Sequence, residues 1–183
     1  KKPNFIKENT ELSGAQRGTL MHLAMQHIDI NNTDSKSNID TQIENLVLGQ
    51  FITDDEKKAI SSYKILKFFN SNLGIRMKSS KKVYREVPFY IQESSSDIYK
   101  YLPKDLYKDE KILIQGIIDC YFEEDDGLVL IDYKTDYVER TEELKDKYKI
   151  QIYYYSKALE NMTGINVKER YIYSFHKGDI IEV

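Results

Sequence analysis

The sequence predicts an α/β domain in which a central mixed sheet is flanked by helices. Three observations lead there. Helical periodicity fills the first third of the chain, strand-type runs gather between Lys81 and Tyr133, and a long amphipathic segment separates the last of these runs from another at Val167–Phe175. A helix crossing between two strands that follow an antiparallel hairpin makes the sheet mixed.

The first predicted helix runs from Leu12 to Ile30, with Ser13 as a possible N-cap. Helical spacing puts Leu20, Leu23, Ala24, His27 and Ile28 toward its apolar side, and Thr19, His22, Gln26 and Asp29 on the other stripe. Asn31–Asn38 reads as a polar loop and Ile39–Leu48 as a helix. A further helix opens at the capping box Thr53-Asp54-Asp55-Glu56 and continues to about Phe69. Lys81–Ile91 is the first predicted strand, and Pro88 confines it to an edge or a bulge. Gln92–Glu110 reads as a loop, with Ser94-Ser95-Ser96 and a break at Leu102-Pro103.

Lys111–Phe122 and Leu128–Tyr133 are rich in β-branched and aromatic residues and flank Asp126-Gly127, the strongest short-range hairpin signal. With Asp126 and Gly127 as the turn, Asp125 pairs with Leu128, Tyr121 faces Asp132 and Asp119 faces Lys134. Asp119 and Asp132 then share a face on the diagonal, roughly 7–8 Å apart. The predicted helix Thr141–Met162, with Gly164 just past its end, turns Leu144, Tyr148, Gln151, Tyr155, Ala158, Leu159 and Met162 to one side. Val167–Phe175 and the short Ile180–Val183 complete the sheet.

The hairpin carries the chemistry. Two carboxylates can hold a hard divalent cation through oxygen while leaving positions for water and a phosphate oxygen. A lysine two residues beyond one of them can orient a nucleophile or neutralise developing charge. The competing reading is an Asp119–Lys134 cross-strand ion pair, a common feature that contributes roughly 0.2–1 kcal/mol. Against it, Asp132 follows Leu128-Val129-Leu130-Ile131 and Asp119 follows Ile117-Ile118, and charges set in apolar strands are costly unless paired or metal-bound. Glu86 could join a metal shell, but pairing with Arg85 or another cation is the simpler reading. By residue type alone, Tyr155 is a core aromatic, and His27 is as available to a metal as His22.

Composition sets the outer bounds. The chain has 183 residues, 40% hydrophobic and 31% charged, enough for one domain with a core. It shows no signal-peptide pattern and no apolar run of membrane-spanning length, so a cytoplasmic protein is expected. Starting at Lys1-Lys2-Pro3, it is expected to be a piece of a longer protein. A lone cysteine, Cys120, excludes a disulfide framework and a four-cysteine iron–sulfur cluster, and alternation puts it on the packed side of its strand. No G-x-x-x-x-G-K-[ST] occurs, so ATP hydrolysis is not expected of this segment. The net charge of −3 is unusual for a freestanding nonspecific DNA binder, which draws affinity from phosphate neutralisation.

Four elements occur in order: Gly18-Thr19 with His22, Gly116-Ile117-Ile118-Asp119, Asp132-Tyr133-Lys134-Thr135, and Gln151 with Tyr155. Together they resemble the GTxxH, GxxD, DYKT and QxxxY motifs of the RecB-type branch of the PD-(D/E)XK nucleases. With Arg85-Glu86-Val87-Pro88-Phe89, they are most similar to the C-terminal nuclease domains of bacterial AddAB-type helicase–nucleases. The resemblance spans Arg17 to Tyr155 and implies a restriction-endonuclease-like αβββαβ core. On this reading residues 1–183 are one nuclease domain, with a helical part at 1–78 and a nuclease core at 79–183, belonging to a larger helicase–nuclease.

It further implies a DNA nuclease that uses Mg²⁺, with Mn²⁺ or Ca²⁺ able to substitute in binding, and that leaves a 5′-phosphate. Asp119, Asp132, His22 and the Tyr133 carbonyl would hold the metal. Lys134 would position the nucleophile, with Gln151 and Tyr155 behind it. The implied partners are single-stranded DNA delivered by parent helicase domains, and an AddB-type partner protein; the implied setting is double-strand break repair and recombination. The alternative is a catalytically inactive DNA-binding or structural domain of such a complex.

Overall fold

A computed structural model describes residues 12–99 and 110–183. The elements are α1 (Gly14–His27), α2 (Lys36–Leu48), α3 (Asp54–Lys57), α4 (Ser62–Phe69), α5 (Asn72–Ser79), β1 (Val83–Ser94), α6 (Ser95–Ile98), β2 (Lys111–Glu124), β3 (Gly127–Lys134), α7 (Glu142–Thr163), β4 (Val167–Ser174) and β5 (Asp179–Glu182). The strands form one sheet in the order β1-β2-β3-β4-β5. β1–β2 and β2–β3 are antiparallel. The Leu128 N–H bonds the Asn166 carbonyl and the Phe175 N–H bonds the Lys134 carbonyl, so β4 advances alongside β3 in the same sense. The sheet is mixed, as predicted, and β1, which carries Pro88, is an edge strand.

Two compact units share these elements. One comprises the N-terminal helices up to Ser79 with Tyr133–Thr141 and Tyr173–Ile180; the other comprises Ser80–Asp132, Glu142–Ile172 and Ile181–Val183.

In the first unit, Ser13 and Gln16 form a capping box that starts α1. The helix buries Gly18, Leu20, Met21, Ala24 and Met25, so the apolar stripe is rotated from the predicted one, and His27 is exposed, its ring tilted against that of Phe51 with centroids 4.7 Å apart. The helix predicted from Thr53 to Phe69 is two helices. Its capping box is present, but α3 lasts one turn, and Ser61 then accepts the Lys64 N–H to start α4. The break turns Ile60 inward. The following α5 escaped the sequence reading; its first turn is held by the Ser71 hydroxyl, which accepts the Gly74 N–H.

The core of this unit is an aromatic cluster. Phe68, fully buried, meets Phe69, Tyr133 and Tyr173 at 5.1, 5.4 and 4.8 Å between ring centroids, all edge-on. Phe68→Ala is expected to cost about 3–5 kcal/mol, read as a lower urea midpoint at unchanged slope.

In the second unit, α7 ends at Thr163 and Gly164 follows with φ +71, as the sequence suggests. Its packed side is Leu144, Ile152, Tyr155, Ser156, Ala158 and Leu159, while Met162 is half exposed, unlike the predicted stripe. Cys120 is buried, as predicted. β1 extends past Ile91 to Ser94, and the segment predicted as loop then forms α6; residues 100–109 of that segment lie outside the described residues.

The hairpin differs from the predicted one by its turn. Glu124 pairs with Gly127, making Asp125-Asp126 the two turn residues. Neither has positive φ; Gly127 does, at +151, and a Cβ there would stand 2.8 Å from the Asn166 carbonyl oxygen. The glycine is therefore required as the first residue of β3, against the neighbouring chain, and not inside a primed turn.

Among the described residues no helix is long and apolar enough to cross a membrane.

Candidate metal centre

The corrected turn shifts the hairpin register by two residues, which preserves faces but changes neighbours. Pairing runs to Cys120 with Ile131, and one step further the same register sets Asp119 across from Asp132. Continued past Cys120–Ile131, that register would bring Asp119 and Asp132 level on adjacent strands, nearer than the predicted diagonal, with Lys134 beyond Asp132 and not across from Asp119. Asp132 is fully buried and Asp119 is 9% exposed. A buried carboxylate is held at such a position only with strong compensation.

β1 adds a third. Arg85 pairs with Cys120 and Val87 with Ile118, so Glu86 falls opposite Asp119. A Glu86 carboxylate oxygen lies within 4.8 Å of one from Asp119. Glu86 also has φ 52, the left-handed region, which costs a non-glycine residue on the order of 1–2 kcal/mol. Sequence reasoning set Glu86 aside as an ion-pair residue. Its place here depends on the β1–β2 register, which no turn signal fixes across so long a connection.

Tyr155 reports on all three acids. Burial, then the charges of Asp132, Asp119 and Glu86, push its phenol up to about 12, against the opposing hydrogen bond from Gln151. Its hydroxyl accepts the Gln151 amide N–H at 2.6 Å, and its ring meets Phe89 edge-on at 5.3 Å. Gly116 makes room for this packing: a Cβ there would be 2.9 Å from the Phe89 ring and 3.7 Å from that of Tyr155. Tyr155 is thus a packed aromatic whose phenol also feels the charge of the three acids. Because its folded pKa is raised above 10.0, the native state favours the protonated phenol. The associated stability is whole below pH 10 and is lost as pH rises toward about 12. A phenolate absorbance titration of the chain minus that of Tyr155→Phe should therefore show one tyrosine ionising near pH 12.

His22, Tyr133 and Lys134 belong to the first unit. His22 is half-buried on α1, edge-on to the Tyr133 ring at 6.2 Å. One turn before it, Gly18 allows α1 to approach the chain just after β3, since a Cβ there would be 2.8 Å from the Thr135 hydroxyl oxygen. The Tyr133 side chain is sunk in the aromatic cluster, so only its backbone carbonyl could serve a ligand. Lys134 is half-buried at the end of β3, its carbonyl held by the Phe175 N–H at 2.8 Å.

The donor set fits a hard divalent cation. At metal–oxygen distances of roughly 2.0–2.6 Å, two carboxylate oxygens on one ion are at most about 4–5 Å apart, which Glu86 and Asp119 satisfy. The only cysteine is buried, leaving the acids without a soft thiolate beside them on the strand face.

The chain belongs to the PD-(D/E)XK nuclease superfamily, whose family model matches residues 3–179. Over all 183 residues it is 55% identical to the A subunit of the ATP-dependent helicase/nuclease of Clostridium kluyveri (strain NBRC 12016). It is 50% identical over the same length to the protein of that name in Clostridium botulinum (strain Kyoto / Type A2). The chain spans 15% and 14%, respectively, of these relatives' own length.

Proposed function

We propose that this chain is the metal-dependent DNA nuclease domain of a helicase–nuclease that processes double-strand breaks for repair and recombination. The observation that carries the reading is the row of Glu86, Asp119 and Asp132 on three adjacent strands, whose combined charge is felt at the Tyr155 hydroxyl. Asp119 and Asp132 are assigned as metal ligands, with Glu86 beside them. His22 and the Tyr133 carbonyl complete the set in this reading, supported by the match of Gly18-Thr19 and His22 to the family pattern and by the burial of the Tyr133 ring. Mg²⁺ is the proposed ion, with Mn²⁺ or Ca²⁺ able to bind in its place.

A bound divalent cation supplies an acidified water and neutralises charge on the phosphoryl oxygens. The protein's own groups do the rest. Lys134, as an ammonium donor, orients the attacking water and offsets charge that grows on the phosphate. Gln151 occupies one lone pair of the Tyr155 hydroxyl, which leaves the phenolic hydrogen free to donate toward the substrate. Burial of Asp119 and Asp132 keeps bulk water from screening these interactions. Parent helicase domains would deliver the single strand, which suits a chain of net charge −3, and an AddB-type protein is the proposed partner, in the cytoplasm.

Incubating the chain with a labelled single-stranded DNA tests this reading. Cleavage in Mg²⁺ or Mn²⁺, absent in EDTA, is the expected result. Neither cleavage nor metal binding would leave a structural or DNA-binding domain.

A further inference from the structure

The β1–β2 ribbon continues outward from the acids in a way the proposed chemistry does not use. From the Glu86–Asp119 row, every second pair along the register is Pro88–Ile117, Tyr90–Gln115, Gln92–Leu113 and Ser94–Lys111. Directly opposite residues share a face, and so do residues two apart on a strand. The exposure follows that alternation. Pro88, Tyr90, Gln92, Lys111, Leu113, Gln115 and Ile117 are exposed, while Phe89, Ile91 and Glu93 between them are buried. Tyr90 is 75% exposed, Leu113 56% and Ile117 50%. An open groove of about 670 Å³ runs beside this strip, between Pro88–Gln92 and the end of α7 at Asn161 and Met162.

We propose that this face is a track for single-stranded nucleic acid, which leads the strand onto the acid row with a base stacked on Tyr90. The inference rests on the nuclease reading above. Three features select this occupant. The strip follows the acid row along the same two strands, its first pair two residues beyond Glu86 and Asp119, so it lies on one approach to the acids. Beyond Glu86 and Asp119 its four rows carry no carboxylate, in a protein with 30 acidic residues, and they end on Lys111; a polyanion meets no repulsion there. Its content, one open aromatic ring with aliphatic neighbours and two amides, matches how single strands are held without sequence readout: bases stack on rings while amides bond whichever edge is presented. From the acid row at Glu86 to Ser94 is eight steps along the strand, about 26 Å, enough for several nucleotides.

Tyr90→Ala and Tyr90→Phe separate this proposal from the nuclease reading; the side chain is exposed, so neither substitution disturbs the core. The chain in Ca²⁺ is titrated into a fluorescent oligothymidylate and read by anisotropy, and hydrolysis of thymidine 5′-p-nitrophenyl phosphate in Mn²⁺ is followed beside it. Tyr90→Ala should weaken oligonucleotide binding about tenfold or more, the loss of one stacking contact, while Tyr90→Phe restores it and the small ester is cleaved equally by all three. Oligonucleotide binding unchanged in Tyr90→Ala, with the ester still cleaved, would overturn the track alone and point to a protein surface covering the ribbon. No oligonucleotide binding by the unsubstituted chain would overturn the track as well. Failure of the unsubstituted chain to cleave the ester, with oligonucleotide binding still lost in Tyr90→Ala, would keep the track and remove the nuclease reading.

Discussion

Replacing Asp132 by alanine is expected to abolish metal-dependent cleavage, by about a thousandfold or more, without unfolding the chain. Asp132 is fully buried in β3, among residues that are nearly all buried, and stands opposite Asp119 on β2. On the proposed assignment, losing it removes a ligand and a charge that would draw a cation to the acids, a change of several kcal/mol in transition-state stabilisation. The metal-free protein should respond the other way. Three carboxylates close together repel one another, so the substitution offsets its cavity cost by relieving that repulsion. Melting in EDTA is therefore expected to be unchanged or slightly higher, and Asp119→Ala should behave alike. If either substitution instead lowers the metal-free melting temperature strongly, the aspartates serve structural ion pairs.

Lys134→Ala carries the second large effect, with a different signature. The lysine is two residues beyond Asp132, and its backbone is fixed by the Phe175 N–H, so truncating the side chain should not move the strand. Its assigned work is donation to the nucleophile and to developing charge. Removing such a donor costs roughly 10²–10³ in kcat. Metal affinity, set by the carboxylates, should stay within a few-fold of the unsubstituted chain. Single-turnover cleavage measured beside a Ca²⁺ titration separates the two. Loss of both together would make Lys134 a prop for the acids and not a participant in the chemistry.

How much of this was legible in the chain follows from how local each signal is. The N-cap at Ser13, the capping box at Thr53, the helix stop at Gly164 and the confinement of β1 by Pro88 to an edge or bulge are written within a few residues, and the structure carries them all, with β1 at the edge. The faces of Asp119 and Asp132 were legible because alternation fixes parity even when the turn is misplaced. Their direct opposition was not, since it depends on whether Gly127 sits in the turn or at the start of β3, and the Asn166 carbonyl that decides this is distant in sequence. The break at Ser61 and the rotated stripe of α1 are packing outcomes, invisible to periodicity in short helices. Glu86 joins the acids through a register set across a long connection and through a left-handed backbone that nothing in Arg85-Glu86-Val87 announces.

Thermal melting of the unsubstituted chain and of Asp132→Ala, in EDTA and across a Ca²⁺ titration, tests most directly whether the carboxylate row holds a metal. A ligand that binds only the native state must stabilise it, by about 2.7 kcal/mol at a hundred times its Kd. The expected result is a melting temperature that climbs with Ca²⁺ for the unsubstituted chain and stays flat for Asp132→Ala. An unsubstituted chain indifferent to Ca²⁺, or a variant that climbs as steeply, would contradict a metal held between Glu86, Asp119 and Asp132.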